Sequence, residues 1–197
     1  MERVDVLGYV MIFVVIVLIC HIYFNSDKFH LKCIISTVDG EKYCVRERKN
    51  IQKVADLLAN VTQKMKKLVK HVGEKYPTRE NVRRLVEGFS ETKIQETLPT
   101  SQYTAYSENK GEKIAFCVTD KKHGSDLIDE DTLTFVAIHE ISHIMSEQYQ
   151  HKDEFWSNFK FMLENAKETG IYNPIDYKNK PREYCGMKIT DNPYYDY

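Results

Sequence analysis

Apolar residues recur along the chain with two different periods, and each period predicts a different kind of element. Residues 32–46 form two β-rich runs on either side of Asp39-Gly40, a dipeptide typical of tight hairpin turns. Over residues 51–72 the apolar positions alternate by three and four, which is the spacing of an amphipathic helix. This helix is expected to pack on the protein's own core, and a coiled coil with the same spacing is the alternative.

The rest of the chain shows the same two periods, with polar segments between them. The predicted elements are a helix at 82–89, a hairpin within 103–118, a helix from 131 or 132, and a helix at 152–168. A polar segment that ends at Ser101 is predicted as a connection, and the tail over 171–197 is predicted as an ordered coil. The chain is therefore expected to mix helices with short strands.

The start of the chain differs from the rest because residues 6–26 include no charged side chain. As a helix they would span about 31 Å, the thickness of a bilayer core. We therefore predict a flank at 1–5, a transmembrane anchor in contact with lipid at 6–26, and a folded domain at 33–197. A cleaved signal or a lipid-modified Cys20 fits the flanking residues less well. Lysines follow the run closely, which favours a single-pass membrane protein with its domain on the cytoplasmic side.

Charge and composition restrict the class of protein and its partners. The 197 residues include 28 Lys plus Arg and 29 Asp plus Glu, a formal net charge of -1. A charge so close to zero argues against a general nucleic-acid partner. With 12% aromatic residues and only 8 Gly and 5 Pro, the chain is neither disordered nor collagen-like. It is expected to fold one domain of about 150 residues with its own core.

Four cysteines follow the apolar run, at Cys33, Cys44, Cys117 and Cys185. An even number of cysteines is compatible with two disulfides in an oxidising compartment. Four reduced and packed thiols are equally compatible with this count. The spacing of the cysteines leaves both alternatives open.

A metal-binding pattern lies in the predicted helix that begins at residue 131 or 132. The chain reads His139-Glu140-Ile141-Ser142-His143, with the two histidines four positions apart. On a helix these imidazoles project from one face and can bind one Zn²⁺ ion. Glu140 lies beside them, where it can take a proton from a water on that ion. The motif predicts zinc as the cofactor and Glu140 as the catalytic base.

A catalytic zinc site usually has three protein ligands, so a third ligand is expected nearby. His151 is the best candidate, although in an unbroken helix it would lie about 12 Å further along the axis than His143. The helix must therefore end and the chain must turn back within 144–150, where there is neither Gly nor Pro. Glu154 and Glu164 are the alternative ligands.

Other parts of the site can be named but not ranked from the sequence. Tyr149, Tyr172 and Tyr184 are three candidates for a donor to the reacting oxygen. Met187 can support the metal site from below, or it can be an ordinary buried methionine. The strand over 113–118 is expected to lie beside the cleft and to offer a free edge to an extended peptide.

The sequence from His139 to His143, followed by His151 and the pair Phe155-Trp156, resembles the WLM and SprT-like zinc metallopeptidases. Over about residues 39–190 the chain is also similar to metallopeptidase-like proteins encoded by large DNA viruses. The resemblance implies an α+β, zincin-like domain with a small antiparallel sheet and an active-site helix. It also implies peptide-bond hydrolysis, and a virion or host membrane for the anchor.

Two other functions are compatible with the sequence. A membrane-tethered interaction protein with a structural zinc would need the histidines but not Glu140. A SprT-like protease that acts on DNA-bound proteins would need nucleic-acid contacts, which the charge does not favour.

Overall fold

The computed structural model describes residues 3–24, 31–89, 92–148 and 150–196. Within those ranges, helices and strands succeed one another along the whole chain. Their bounds are α1 (Arg3–Phe24), β1 (Leu31–Ile35), β2 (Lys42–Arg46), α2 (Ile51–Lys75), α3 (Glu80–Phe89), β3 (Lys93–Glu96), β4 (Ala105–Glu108), β5 (Lys113–Phe116), α4 (Glu130–Met145), α5 (Asp153–Glu168), β6 (Arg182–Tyr184), β7 (Met187–Ile189) and a short 3-10 helix (Pro193–Tyr195). The mixed α+β class is confirmed.

The main sheet has five strands in the order β1-β2-β3-β5-β4. Its two outer pairs are antiparallel, whereas β2 pairs with β3, and β3 with β5, in parallel. The prediction of an antiparallel sheet is therefore wrong for the central strands. The reason is that α2 and α3 form a long crossover between β2 and β3, and such a connection allows parallel pairing.

Strand β3 lies in the segment that was predicted as a polar connection. It is only four residues long, and its Glu96 side chain is fully buried. The Glu96 carboxylate accepts a hydrogen bond from the backbone N–H of Arg46 at 2.8 Å and pairs with the guanidinium groups of Arg46 and Arg48. These partners compensate the buried charge. Arg46 belongs to β2 and Arg48 follows that strand, so the sequence of β3 alone does not show that β3 lies inside the sheet.

The core lies between the sheet and the helices α2, α4 and α5. The apolar stripe of α2 is buried inside this core. The helix therefore packs on the protein's own core, as predicted, and does not present the stripe for a coiled coil. Its buried apolar members are Val54, Ala55, Leu58, Ala59, Val61, Met65, Leu68, Val69 and Val72. Helix α4 is buried on nearly all sides, including Leu133, Ala137 and Ile141. A helix held in this way can position side chains rigidly.

The tail contains a second, two-stranded sheet, so the prediction of an ordered coil is wrong for residues 182–189. Strands β6 and β7 form a hairpin whose turn residues, Cys185 and Gly186, both have positive φ angles, of 52° and 80°. Such angles suit a two-residue hairpin turn, but Cys is an unusual residue for this position. The usual sequence signal for a hairpin is therefore missing here.

Both pairs of cysteines form disulfides in the structure. Cys33 and Cys44 lie opposite each other in the β1–β2 register and are bonded. Cys117, just after β5, is bonded to Cys185 in the β6–β7 turn. The second bond joins the tail hairpin to the main sheet, and Cys20 is free and exposed.

The prediction of a single-pass membrane protein requires correction. Among the described residues, none of the helices is both long enough and apolar enough to cross a membrane. The predicted boundary at Ser26 lies outside the described residues. The membrane anchor and its lipid contact are therefore not supported.

Candidate metal centre

Helix α4 begins at Glu130, one residue before the earlier of the two predicted starts. The carboxylate of Asp129 accepts hydrogen bonds from the backbone N–H of Thr132 at 2.8 Å and from its hydroxyl at 2.7 Å. This N-cap satisfies a helix donor that would otherwise have no partner. With its start fixed and its sides buried, α4 directs His139 and His143 toward one cleft.

The structure brings the three predicted histidines together. The Nε2 atom of His139 lies 3.3 Å from that of His143 and 3.0 Å from that of His151. A tetrahedral zinc ion with bonds of 2.0–2.1 Å holds its nitrogen ligands about 3.3 Å apart. The observed spacing therefore fits a zinc ion bound by three imidazoles. The role of these histidines as ligands stays a prediction.

The buried ring of Phe155 contacts all three imidazoles. Its centroid is 4.8 Å from His139, 4.3 Å from His143 and 4.5 Å from His151, and it stacks on the His143 ring at 28°. Phe155 lies on α5, so this helix fixes the rings from one side while α4 and the turn supply them. The Phe-Trp pair marked the resemblance, but its position under the histidines could not be read from the sequence.

Burial and mutual repulsion keep the histidines neutral. Burial, together with the nearby His143 and His151, lowers the pKa of His139 to about 3. Burial, with smaller contributions from His151 and Lys110, lowers the pKa of His143 to about 4. Burial also lowers the pKa of His151. Neutral imidazoles have free lone pairs at pH 7, which is the state that binds a metal ion.

Glu140 lies next to the histidines with its side chain lining the same cleft. The residue is only 5% exposed, and burial raises its pKa to about 8. A carboxyl group with this pKa is mostly protonated at pH 7, and a cation held by the histidines would favour its ionised form. The acid–base state of Glu140 is thus expected to depend on metal binding.

Two basic side chains explain how the chain reverses after α4 without Gly or Pro. The Lys110 ammonium group donates hydrogen bonds to the backbone oxygens of Ser146, Glu147 at 3.0 Å and His143 at 3.4 Å. Arg84 donates to the backbone oxygen of Met145 at 3.1 Å. The last carbonyls of a helix need such partners when the helix stops. These contacts hold the turn that brings His151 back to the site.

The alternative ligand Glu154 belongs to this turn and not to the histidine cluster. Its carboxylate pairs with Arg84 at 2.9 Å and accepts hydrogen bonds from the backbone N–H of Glu147 at 3.1 Å. Glu164, the other alternative, is exposed on α5. Neither carboxylate joins the cluster of possible metal ligands among the described residues.

Close packing of two glycines brings Lys110 to the end of α4. A Cβ atom at Gly88 would collide with Ile144 and with the backbone oxygen of Lys110, and one at Gly111 would collide with the backbone of Gly88. Gly111 also has a φ angle of 112°, which is strained for other residues. The β4–β5 turn can therefore approach α3 and α4 only with glycine at both positions.

Replacing Lys110 by methionine is expected to weaken metal binding by at least about 10-fold, the scale on which outer contacts support a metal site. Methionine keeps the length of the side chain but cannot donate to the three carbonyls, so the His151 turn should loosen. Affinity can be measured by competition against a chelating dye.

The matched control for that variant is Lys113→Met on the same hairpin. Lys113 pairs with Glu108 at 2.7 Å and does not contact the turn, so its loss should leave metal affinity unchanged. Equal affinity of Lys110→Met and the parent protein would show that Lys110 does not hold the site.

A cleft of about 460 Å³ opens in front of the histidines. One side is formed by β4 and the residues before it, from Tyr103 to Ser107. Strand β4 is the outer strand of the sheet, whereas β5 is paired on both sides. The prediction that the strand over 113–118 offers a free edge is therefore wrong, and β4 has that position.

The three tyrosine candidates separate clearly in the structure. Tyr184 lines the cleft, and its hydroxyl donates to the backbone oxygen of Thr104 at 3.1 Å. Tyr172 is buried beside Phe135, with its hydroxyl 3.3 Å from that of Tyr177. Tyr149 lies outside the described residues. Tyr184 is thus the candidate that the fold brings to the site.

The fold and the site together define an α+β protein with a three-histidine cluster suited to a metal ion. No family model matches the chain. An uncharacterized protein of Acanthamoeba polyphaga mimivirus is 25% identical over 183 residues, covering 90% of this chain and 92% of its own. An uncharacterized protein of Invertebrate iridescent virus 6 is 34% identical over 100 residues, covering 49% of this chain and 51% of its own. The expectation of viral relatives is confirmed.

Among solved structures, the chain is similar to Wss1 from two yeasts. The S. pombe protein gives a TM-score of 0.43 at 15% identity and covers 62% of this chain and 87% of its own. The Saccharomyces cerevisiae protein gives a TM-score of 0.47 at 13% identity, covering 64% and 89%. Structural similarity this low does not establish a function, which therefore depends on the site itself.

Proposed function

We propose that the protein is a zinc-dependent metallopeptidase with His139, His143 and His151 as ligands and Glu140 as the catalytic base. The observation that carries the proposal is the convergence of three Nε2 atoms beside a buried carboxyl group in an open cleft. A catalytic zinc site needs three protein ligands and an accessible fourth position. A bound zinc ion would act as a Lewis acid on the scissile carbonyl and on a water.

Other steps of the proposed reaction depend on side chains of this protein. Glu140 takes a proton from the attacking water and returns it to the nitrogen that leaves. Phe155 holds the three imidazole rings, and Lys110 with Arg84 holds the turn that carries His151. The base therefore acts inside a site whose ligands cannot easily move apart.

An extended peptide can bind along β4. The outer edge of this strand is free of other described strands, and the strand lines the cleft beside the histidines. Backbone hydrogen bonds to such an edge would bring a peptide past the site in an extended form. This geometry suits hydrolysis within a polypeptide chain.

The position of Glu140 favours an enzyme over an interaction protein with a structural zinc. A structural site is closed and has four protein ligands, whereas this cluster has three among the described residues and faces a cleft. The fold buries the Glu140 carboxyl group at that cleft, and burial raises its pKa, a perturbation that is common at functional sites.

The proposal predicts about one zinc ion per chain and hydrolysis of peptides that stops when zinc is removed. Metal content can be measured by mass spectrometry on the purified full chain. Hydrolysis can be followed on a mixed peptide library with and without a chelator, and activity should return when zinc is added back. Zinc-loaded protein that cleaves no member of the library would contradict the proposal.

A further inference from the structure

The β6–β7 hairpin, over Arg182–Ile189, forms the side of the cleft that faces β4. Tyr184 reaches the backbone oxygen of Thr104, as described above, and the Thr104 hydroxyl lies 3.6 Å from the sulfur of Met187. The hairpin therefore contacts the segment that leads into β4 at two points. Residues of both the hairpin and this segment line the cleft.

The hairpin is joined firmly to the main fold. The disulfide between Cys117 and Cys185 ties its turn to the end of β5. The backbone N–H groups of Cys185 and Gly186 donate to the oxygens of Thr119 at 2.9 Å and Asp120 at 2.7 Å. A surface held by a covalent bond and two backbone hydrogen bonds is suited to select a ligand by shape.

The hairpin and the start of α4 add apolar side chains to the lining of the cleft. The hairpin contributes Tyr184, Met187 and Ile189, and α4 contributes Phe135 and Val136. The charged groups of the lining, Glu140 and Lys110, belong to the catalytic site and to the turn that carries His151. Met187 is 50% exposed, so its side chain has free surface that a ligand can cover.

We propose that this hairpin forms a specificity subsite that takes a large apolar side chain of the bound peptide, next to the scissile bond. The inference rests on the proposed function, because it assigns the substrate class of the same cleft. An apolar side chain there would bury its own surface and that of Met187 and Ile189. A charged side chain would lose its hydration without gaining a partner of opposite charge.

The experiment measures binding of short peptide hydroxamates to the zinc-loaded full chain by titration calorimetry. The probes are identical except for one side chain, which is Leu, Asp or Lys. We expect the Leu probe to bind at least about 10-fold more tightly than the Asp probe. In Met187→Glu the advantage of Leu over Lys should shrink by a similar factor, because a carboxylate then faces the probe.

The matched control is Thr190→Glu, which adds the same charge at an exposed residue just beyond β7 and outside the cleft lining. Its probe affinities should equal those of the parent. Equal binding of the three probes to the parent, or unchanged ratios in Met187→Glu, would overturn the subsite. Binding with the expected preference but without hydrolysis of any peptide would overturn the proposed function and leave the subsite standing.

Discussion

Replacing Glu140 by glutamine is expected to lower the rate of peptide hydrolysis by about 100-fold or more, the usual scale of a general-base contribution. Glutamine keeps the shape and hydrogen-bonding capacity of the side chain but cannot accept the proton of the attacking water. Glu140 lies one position from His139 along α4, which turns it by about 100° away from that ligand. It can therefore approach the water without binding the metal.

The same variant should retain its metal and gain no instability. Burial raises the pKa of Glu140, so folding carries a cost for its ionised form that an uncharged amide does not have. Zinc content and melting temperature should equal or exceed those of the parent. Glu164→Gln, an exposed change on α5, is the control and should leave the rate unchanged. A Glu140→Gln protein that cleaves peptides as fast as the parent would show that Glu140 is not the catalytic base.

The helices and the histidine pair could be predicted because both depend on local spacing. The period of α2 and the four-residue interval between His139 and His143 remain the same whatever surrounds them. The predicted start of α4 differs from the observed one by one residue. Several carboxylates lie near this point in the sequence, and the start depends on which of them caps the helix; in the structure it is Asp129. Local sequence patterns were therefore sufficient to predict most of the helices.

The parts that the sequence did not predict depend on distant partners. Strand β3 is polar, and its burial becomes possible only through arginines of β2 and the residues just after it. The β6–β7 hairpin depends on a disulfide whose two cysteines are separated by 68 positions. Pairing between distant segments leaves no periodic pattern in either sequence. Strand β3 and the β6–β7 hairpin were therefore not predicted as strands.

The third ligand illustrates the same limit inside the site. A histidine eight positions after His143 was a candidate, but no nearby residue explained how the chain could turn back to place it. The explanation lies in Arg84 on α3 and Lys110 in the β4–β5 turn, both far from the turn in sequence. The geometry of the candidate site is therefore a property of the whole fold.

Replacing His151 by alanine should reduce zinc affinity by at least about 100-fold, because contacts outside the ligands alone account for 10–100-fold at metal sites. The Nε2 atom of His151 lies 3.0 Å from that of His139, the spacing that two ligands of one tetrahedral ion require. Loss of this imidazole leaves two ligands on α4. A metal held by two imidazoles would retain little of the affinity of the three-ligand site.

The measurement is zinc affinity by dye competition, followed by metal content after dialysis, so it does not depend on activity. The control is His123→Ala, since His123 is exposed in the loop after β5 and outside the cleft lining. That variant should bind zinc like the parent, whereas His151→Ala should lose the metal and all zinc-dependent hydrolysis with it. Unchanged zinc in His151→Ala, together with loss of zinc in Glu154→Gln or Glu164→Gln, would instead assign the third ligand to α5. Because Glu154 contacts Arg84 and the backbone of Glu147, we expect Glu154→Gln to keep its zinc and His151→Ala to lose it.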